Sequence, residues 1–146
     1  MSATQVRNLD DSIHRTNEWL RDLQEKLGAD DRGAAYIALR GVLKALRDRL
    51  PTDDAAHLGA QLPIPIRGVY YDQYRPSDQP NVVREPEIFL SMIGDGFGDA
   101  NNLGFGPEEA ARAVFELLNE KIDTNEAQKA RHILNDELKA FWPKAA

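Results

Sequence analysis

ALRGVLKALRDRLPTDDAAHLGAQLPIPIRGVY, residues 38–70, and AARAVFELLNEKIDTNEAQKARHILNDELKAFW, residues 110–142, share one register. Displaced by 72 residues, Ala38 falls on Ala110, Arg40 on Arg112, Val42 on Val114, Leu46 on Leu118 and Leu50 on Ile122. The alignment continues without a gap through Thr52 on Thr124, Ala55 on Ala127, Leu62 on Leu134, Ile66 on Leu138, Arg67 on Lys139, Val69 on Phe141 and Tyr70 on Trp142. Helical periodicity alone sets apolar on apolar, but it does not place a threonine at the same break and an aromatic at the same close. The pattern is that of one helical unit present twice. A shorter match, Trp19-Leu20 with Phe89-Leu90, needs an offset of 70, so the two-residue difference falls in the turn that follows. The first repeat spans 9–75, the second 86–143, and a proline-containing linker, 76–85, joins them. Neither copy buries its apolar face alone, which predicts one bundle-like all-α domain over 1–146, with about four helices in each repeat.

Working outward, apolar residues recur at three and four, and strand-like alternation is almost absent. Leu9, Ile13, Leu20, Leu23 and Leu27 stripe a helix predicted from Asp10 to Leu27, with Gly28 to end it. Asp30 and Asp31 signal the start of a second, striped by Leu39, Val42, Leu43, Leu46 and Leu50 and stopped by Pro51. Thr52 is the expected cap of a third, and Pro65 suits the first turn of a fourth over Ile64 to Tyr74, with strand as the rival there. Arg75 to Pro86 is broken by three prolines. Glu87 to Ile93 is again helical, and Gly94 to Gly106 holds five of the chain's ten glycines. Pro107, Glu108 and Glu109 open a strong helix. Thr124 is expected to cap the next, which runs on to Trp142 before Pro143.

The chain has 146 residues, no cysteine and a formal net charge of -6. That length suffices to bury roughly 68–70% of the unfolded chain's surface. Without cysteine there is no disulfide framework, thiol nucleophile, thiolate zinc site or cysteine-held iron–sulfur cluster. No run approaches the roughly 18 consecutive apolar residues of a membrane helix, and the start, Met1 to Asp11, is polar, so a cytoplasmic protein is expected. The acidic total argues against nucleic acid as a partner. The charge is uneven: residues 1–75 carry 11 basic and 11 acidic side chains, residues 76–146 carry 7 and 13. A basic partner is expected to prefer the second half.

The stretch Ala56-His57-Leu58-Gly59-Ala60-Gln61-Leu62-Pro63, followed by Arg67-Gly68-Val69-Tyr70-Tyr71-Asp72 and Tyr74-Arg75-Pro76, resembles the signature of the bacterial domain-of-unknown-function family 2267. The closing Leu138-Lys139-Ala140-Phe141-Trp142-Pro143 resembles that family's ending, and the similarity covers most of the chain. The resemblance implies an all-helical, two-repeat bacterial protein and carries no established activity. Pro65 departs from the family's usual aliphatic residue. Leu134-Asn135 departs from a repeated Leu-Pro, so the seventh and eighth helices are expected to fuse there.

Candidate functional residues are few. Ile66, Val69 and Tyr70 pair with apolar residues of the second copy and face the core, whereas Arg67, Tyr71 and Tyr74 follow at i, i+4 and i+7 on a neighbouring stripe. Tyr71 and Tyr74 have no counterpart in the second copy. They either cover the junction between repeats or, with Arg67, anchor a protein interface, as Tyr and Arg commonly do. His57 and Gln61, one turn apart on the third helix, form a packing pair or join that patch. Catalysis through His57 has only Asp54 nearby as a partner carboxylate. Asp10, His14 and Glu18 read as a solvated stripe rather than a di-metal motif. The glycine-rich loop fails as a calcium site, because Leu103 and Ala110 fill two ligand positions counted from Asp99. It lacks the Lys and Ser or Thr of a phosphate loop, and is expected to be a connection with Phe97 or Phe105 tucked inward.

The expectation is therefore a non-catalytic interaction or adaptor protein, docking a protein partner or a second copy of itself through His57, Gln61, Arg67, Tyr71 and Tyr74. No cofactor, metal, nucleic acid or membrane is involved. The alternative is a metal-dependent or small-molecule-binding enzyme using His57 and nearby carboxylates.

Overall fold

The computed structural model describes residues 3–145. Met1, Ser2 and Ala146, the outer ends of the polar start and of the 1–146 span, lie outside the described residues. The fold is all-α, and no strand occurs among the described residues. The helices are α1 (Arg7–Leu27), α2 (Arg32–Arg49), α3 (Thr52–Ala60), α4 (Ile64–Tyr71), α5 (Pro86–Asp95), α6 (Pro107–Lys121), α7 (Thr124–Ile133) and α8 (Asp136–Lys139), with a 3-10 turn at Pro76–Asp78. Among the described residues, no helix is long and apolar enough to cross a membrane.

Helix α2 lies at the centre, packed on α1, α4, α5 and α6. Its buried residues run almost round the helix, from Ala35 and Leu39 through Val42, Leu43 and Leu46. Elements of the two halves interleave: α1 also packs on α6, α3 on α7, and α5 on α2. Residues of both halves form one hydrophobic cluster. Burial follows the displacement of 72: Val42 and Val114, Leu46 and Leu118, Ala55 and Ala127, Leu62 and Leu134, Ile66 and Leu138, and Tyr70 and Trp142 are all buried. The starts of α3 and α7, and of α4 and α8, keep the same displacement.

Local signals fix most element ends. Gly28 stands in the left-handed region at φ 63°, and its N–H closes on the carbonyls of Gln24 and Glu25. The Asp31 carboxylate accepts from the Ala34 N–H at 2.8 Å and caps α2. The structure also corrects several expected boundaries. Helix α1 begins at Arg7 rather than Asp10, and the Asp10 carboxylate reaches back to accept from the Thr4 N–H and hydroxyl at 2.9 and 2.7 Å. Thr52 and Thr124 are the first helical residues of α3 and α7 rather than their caps. Pro51 and Asp123 occupy the capping positions, and the Asp123 carboxylate accepts from the Asn125 and Glu126 N–H groups. Helix α4 ends at Tyr71 rather than Tyr74, because Gln73 takes φ 63° and turns the chain.

Helices α7 and α8 do not fuse. Leu134 is extended, and Asn135 starts the four-residue α8 while its side-chain amide donates to the Arg84 carbonyl at 3.0 Å and to Glu137. The break leaves Leu134, Leu138 and Trp142 all buried, and Trp142 stacks on Phe115 with centroids 4.4 Å apart. The linker is strapped to the end of α2: the Asn81 N–H donates to the Asp48 carbonyl at 2.7 Å, Arg49 donates to the Val83 carbonyl at 2.9 Å, and Val83 is buried. Helix α5 absorbs Gly94 and ends at Asp95; beyond it Phe97 turns inward, edge-on to Phe105 at 6.1 Å.

Candidate functional site

Arg67 projects from α4 back to the end of α3, where its guanidinium donates to the carbonyls of Gly59, Ala60 and Leu62 at 3.0, 3.3 and 2.9 Å. These are carbonyls at and beyond a helix C-terminus, which lack intrahelical partners. Tyr71 lies close over Gly59, where a Cβ would sit 2.5 Å from the phenol oxygen, so the glycine is needed for α4 to approach α3. Tyr70, Tyr71 and Tyr74 form an aromatic string, with centroids 5.0 and 5.9 Å apart. The buried Tyr70 hydroxyl donates to the Ala55 carbonyl at 2.7 Å, and burial raises its pKa. The Tyr74 hydroxyl is buried and has no partner among the described residues; burial, reinforced by Asp48, raises its pKa too.

The organising residue of this cluster is Arg47, which the sequence reading passed over. It is buried in α2, donates to the carbonyls of Tyr70 and Asp72 at 2.8 Å each, pairs with Asp48 at 2.8 Å and lies under the Tyr74 ring at 5.1 Å. Its signal was available, since Arg47 sits at helical spacing between Leu43 and Leu50 on an apolar stripe. Gln61 binds elsewhere, accepting from the Asp123 N–H at 3.2 Å and tying α3 to the start of α7. His57 is exposed on α3. His14 pairs with Glu18 at 3.0 Å, both of them exposed to solvent for much of their surface. Among the described residues no three His, Asp or Glu side chains gather as a metal ion requires.

A surface cleft adjoins this cluster and shares Arg47, Asp48 and Asp72 with it. An open cleft of about 880 Å³ runs along α2, with Tyr36, Arg40 and Lys44 on its floor. Pro65, Gly68, Val69 and Asp72 of α4 and its C-cap form one wall, and Met92, Asp95 and Gly96 of α5 and its C-cap form the other. Past Tyr36 and Arg40 it continues into a second hollow of about 670 Å³ that reaches Asp30, Asp99 and Leu103. The floor cations are committed to the fold. Arg40 donates to the carbonyls of Gly96 and Phe97 at 2.9 and 3.1 Å, and Lys44 pairs with Asp72 at 3.4 Å. The α5 wall stands close because two glycines meet: a Cβ on Gly96 would lie 2.6 Å from the Gly41 Cα.

A family described as "Uncharacterized conserved protein (DUF2267)" matches residues 16–141. No curated protein matches the chain.

Proposed function

The chain belongs to the DUF2267 family, and for this member we propose a non-catalytic role: a bacterial cytoplasmic interaction protein that docks a protein partner or a second copy of itself. The observation that carries the proposal is the cleft along α2. It is long, open and walled by two helices, the shape in which an extended or helical segment is held. Four arginines are meanwhile spent on the fold. Arg47, Arg49, Arg67 and Arg131 all donate to backbone carbonyls, at Tyr70 and Asp72, Val83, Gly59 and Leu62, and Trp142 respectively. Their use in the fold supports reading the cleft as a surface for another chain.

The test is purification of the tagged chain from its native host after in-cell cross-linking, together with its mass in solution by light scattering. A stoichiometric partner or a stable dimer is expected. A strictly monomeric chain that recovers nothing would overturn the proposal. A thermal-shift panel of divalent metals and metabolites tests the enzymatic alternative, since a ligand at a hundred times its Kd stabilises by about 2.7 kcal/mol.

A further inference from the structure

Resting on that interaction role, we infer that the α2 cleft takes a cationic amphipathic helix of a protein partner, seated by one apolar side chain in a small pocket beside the cleft. The pocket has a volume of about 100 Å³ and is lined by Leu20, Leu39 and Ile66 together with Tyr36, Pro65 and Val69. The last three also line the cleft, so the pocket adjoins it. The pocket is apolar and far below the roughly 300 Å³ of a small-molecule site, a size suited to a single aliphatic side chain. Such a buried anchor is the usual energetic centre of a helix laid in a groove.

Gly68 gives a second mark. Glycine is the most costly residue in a helix interior after proline. Nothing in this fold requires one at 68: its φ is not positive, and an added Cβ would meet no atom within 4 Å. The other glycines inside helices have neighbours, such as Tyr71 over Gly59 and Phe97 against Gly41. A bare backbone on the cleft wall admits the close approach of another chain.

Charge selects the partner's sign. Arg40, Lys44 and Arg47 are held by internal carbonyls or by Asp72 and Asp48. Asp30, Asp95 and Asp99, spaced along the cleft and its extension, are exposed and enter no ion pair among the described residues. Over the cleft and its extension together, Arg40, Lys44 and Arg47 stand against six carboxylates, those of Asp30, Asp31, Asp48, Asp72, Asp95 and Asp99, so the balance is negative, and Lys or Arg flanking the apolar anchor complements it. The floor from Gly33 to Asp48 spans about 24 Å at the helical rise, room for roughly 16 residues of a bound helix.

The experiment uses the full chain and two fluorescent 18-residue peptides, one an amphipathic helix of Leu and Lys, the other its Leu and Glu counterpart. Binding is followed by anisotropy at low and high salt. The Leu/Lys peptide is expected to bind and to weaken with salt, and the Leu/Glu peptide to stay free. Gly68→Gln, which folds because its Cβ meets nothing, and the double change Asp95→Lys with Asp99→Lys are each expected to weaken binding at least tenfold. Circular dichroism and melting confirm that both variants fold. Equal binding to wild type and both variants, or equal binding of the two peptides, overturns the inference. So does a wild-type dimer that Gly68→Gln dissociates, which would give the cleft to a second copy. A native partner that stays bound to Gly68→Gln sinks this inference alone, whereas a monomer with no partner sinks the interaction role itself.

Discussion

Gly68 and Gly96 both line the α2 cleft, yet replacing each by alanine is expected to change stability in opposite directions. At Gly68 the new methyl meets nothing within 4 Å and the backbone is already helical. Alanine there gains helix propensity and removes freedom from the unfolded chain, about 0.5–1 kcal/mol of added stability. For a chain of this size that is about 2–3 °C in Tm. At Gly96 the methyl carbon would stand 2.6 Å from the Gly41 Cα and 3.2 Å from the Ile93 carbonyl oxygen. Carbon pairs rest at about 3.5–4.0 Å, so α5 must retreat from α2 by about 1 Å. Overpacking of that kind costs about 1–3 kcal/mol. The assay is urea denaturation followed by circular dichroism, with the m value required to stay constant so that midpoints compare stabilities. A Gly68→Ala variant less stable than wild type would show that the fold itself needs this glycine, and the inference drawn from its open surroundings would fall. A neutral Gly96→Ala would refute the close crossing of α2 and α5.

Other expectations concern what holds the cleft in place. Arg47→Met deserts the Tyr70 and Asp72 carbonyls and should cost about 3 kcal/mol; Arg47→Lys, which keeps the charge but loses the planar fork, should cost less. Tyr70→Phe removes a buried bond to Ala55 and should cost about 1–2 kcal/mol by the same denaturation assay. Tyr74→Phe removes a hydroxyl with no partner and should be neutral or slightly stabilising. The α1–α6 seam joins Lys121 to Asp22 at 2.6 Å and Lys26 to Glu116 and Glu120 at 2.7 and 2.6 Å. The Lys121 hydrogen bond, opposed by partial burial, lowers the Asp22 pKa. Burial alone would lower that of Lys26, but the bonds to Glu116 and Glu120 outweigh it and raise the value. The Asp22 contribution is thus present above its ordinary 3.8 and lost as pH falls through the lower folded value. The Lys26 contribution is present below 10.5 and lost as pH rises through the higher folded value. With partly exposed partners each pair is worth about 0.2–1 kcal/mol. The stability difference between wild type and Asp22→Asn should vanish in acid, and that between wild type and Lys26→Met in strong base.

What was legible in the sequence was whatever depends on neighbours in the chain. Gly28, Pro51 and Pro107 mark element ends through backbone geometry, Asp31 does so through a side-chain cap on the Ala34 N–H, and the displacement of 72 identifies buried positions such as Leu62 and Leu134 together. The threonine caps failed because a residue at the capping position and one at the first helical position differ only in backbone dihedrals, and the neighbouring Asp123 carboxylate took the amides. The end of α4 escaped because Gln73 adopts a left-handed conformation that nothing in its own identity demands. The break at Asn135 depends on the Arg84 carbonyl, 51 residues away. Site reasoning met the same limit. Arg67 and Gln61 look available on a helix stripe, but their polar atoms are taken by α3 and by Asp123. The cleft is built by residues from α2, α4 and α5, and only the packed fold brings Tyr36, Gly68 and Asp95 to one surface.

The central claim is that this surface is where another protein sits. It is tested most directly by placing a photoreactive benzoylphenylalanine at position 36, where Tyr36 is an exposed aromatic lining the cleft, or separately at 57 on the exposed face of α3, and irradiating living cells of the native host. A discrete protein adduct at position 36 and none at 57 is the expected result. Adducts at 57 with none at 36 would contradict it and move the interaction away from the cleft.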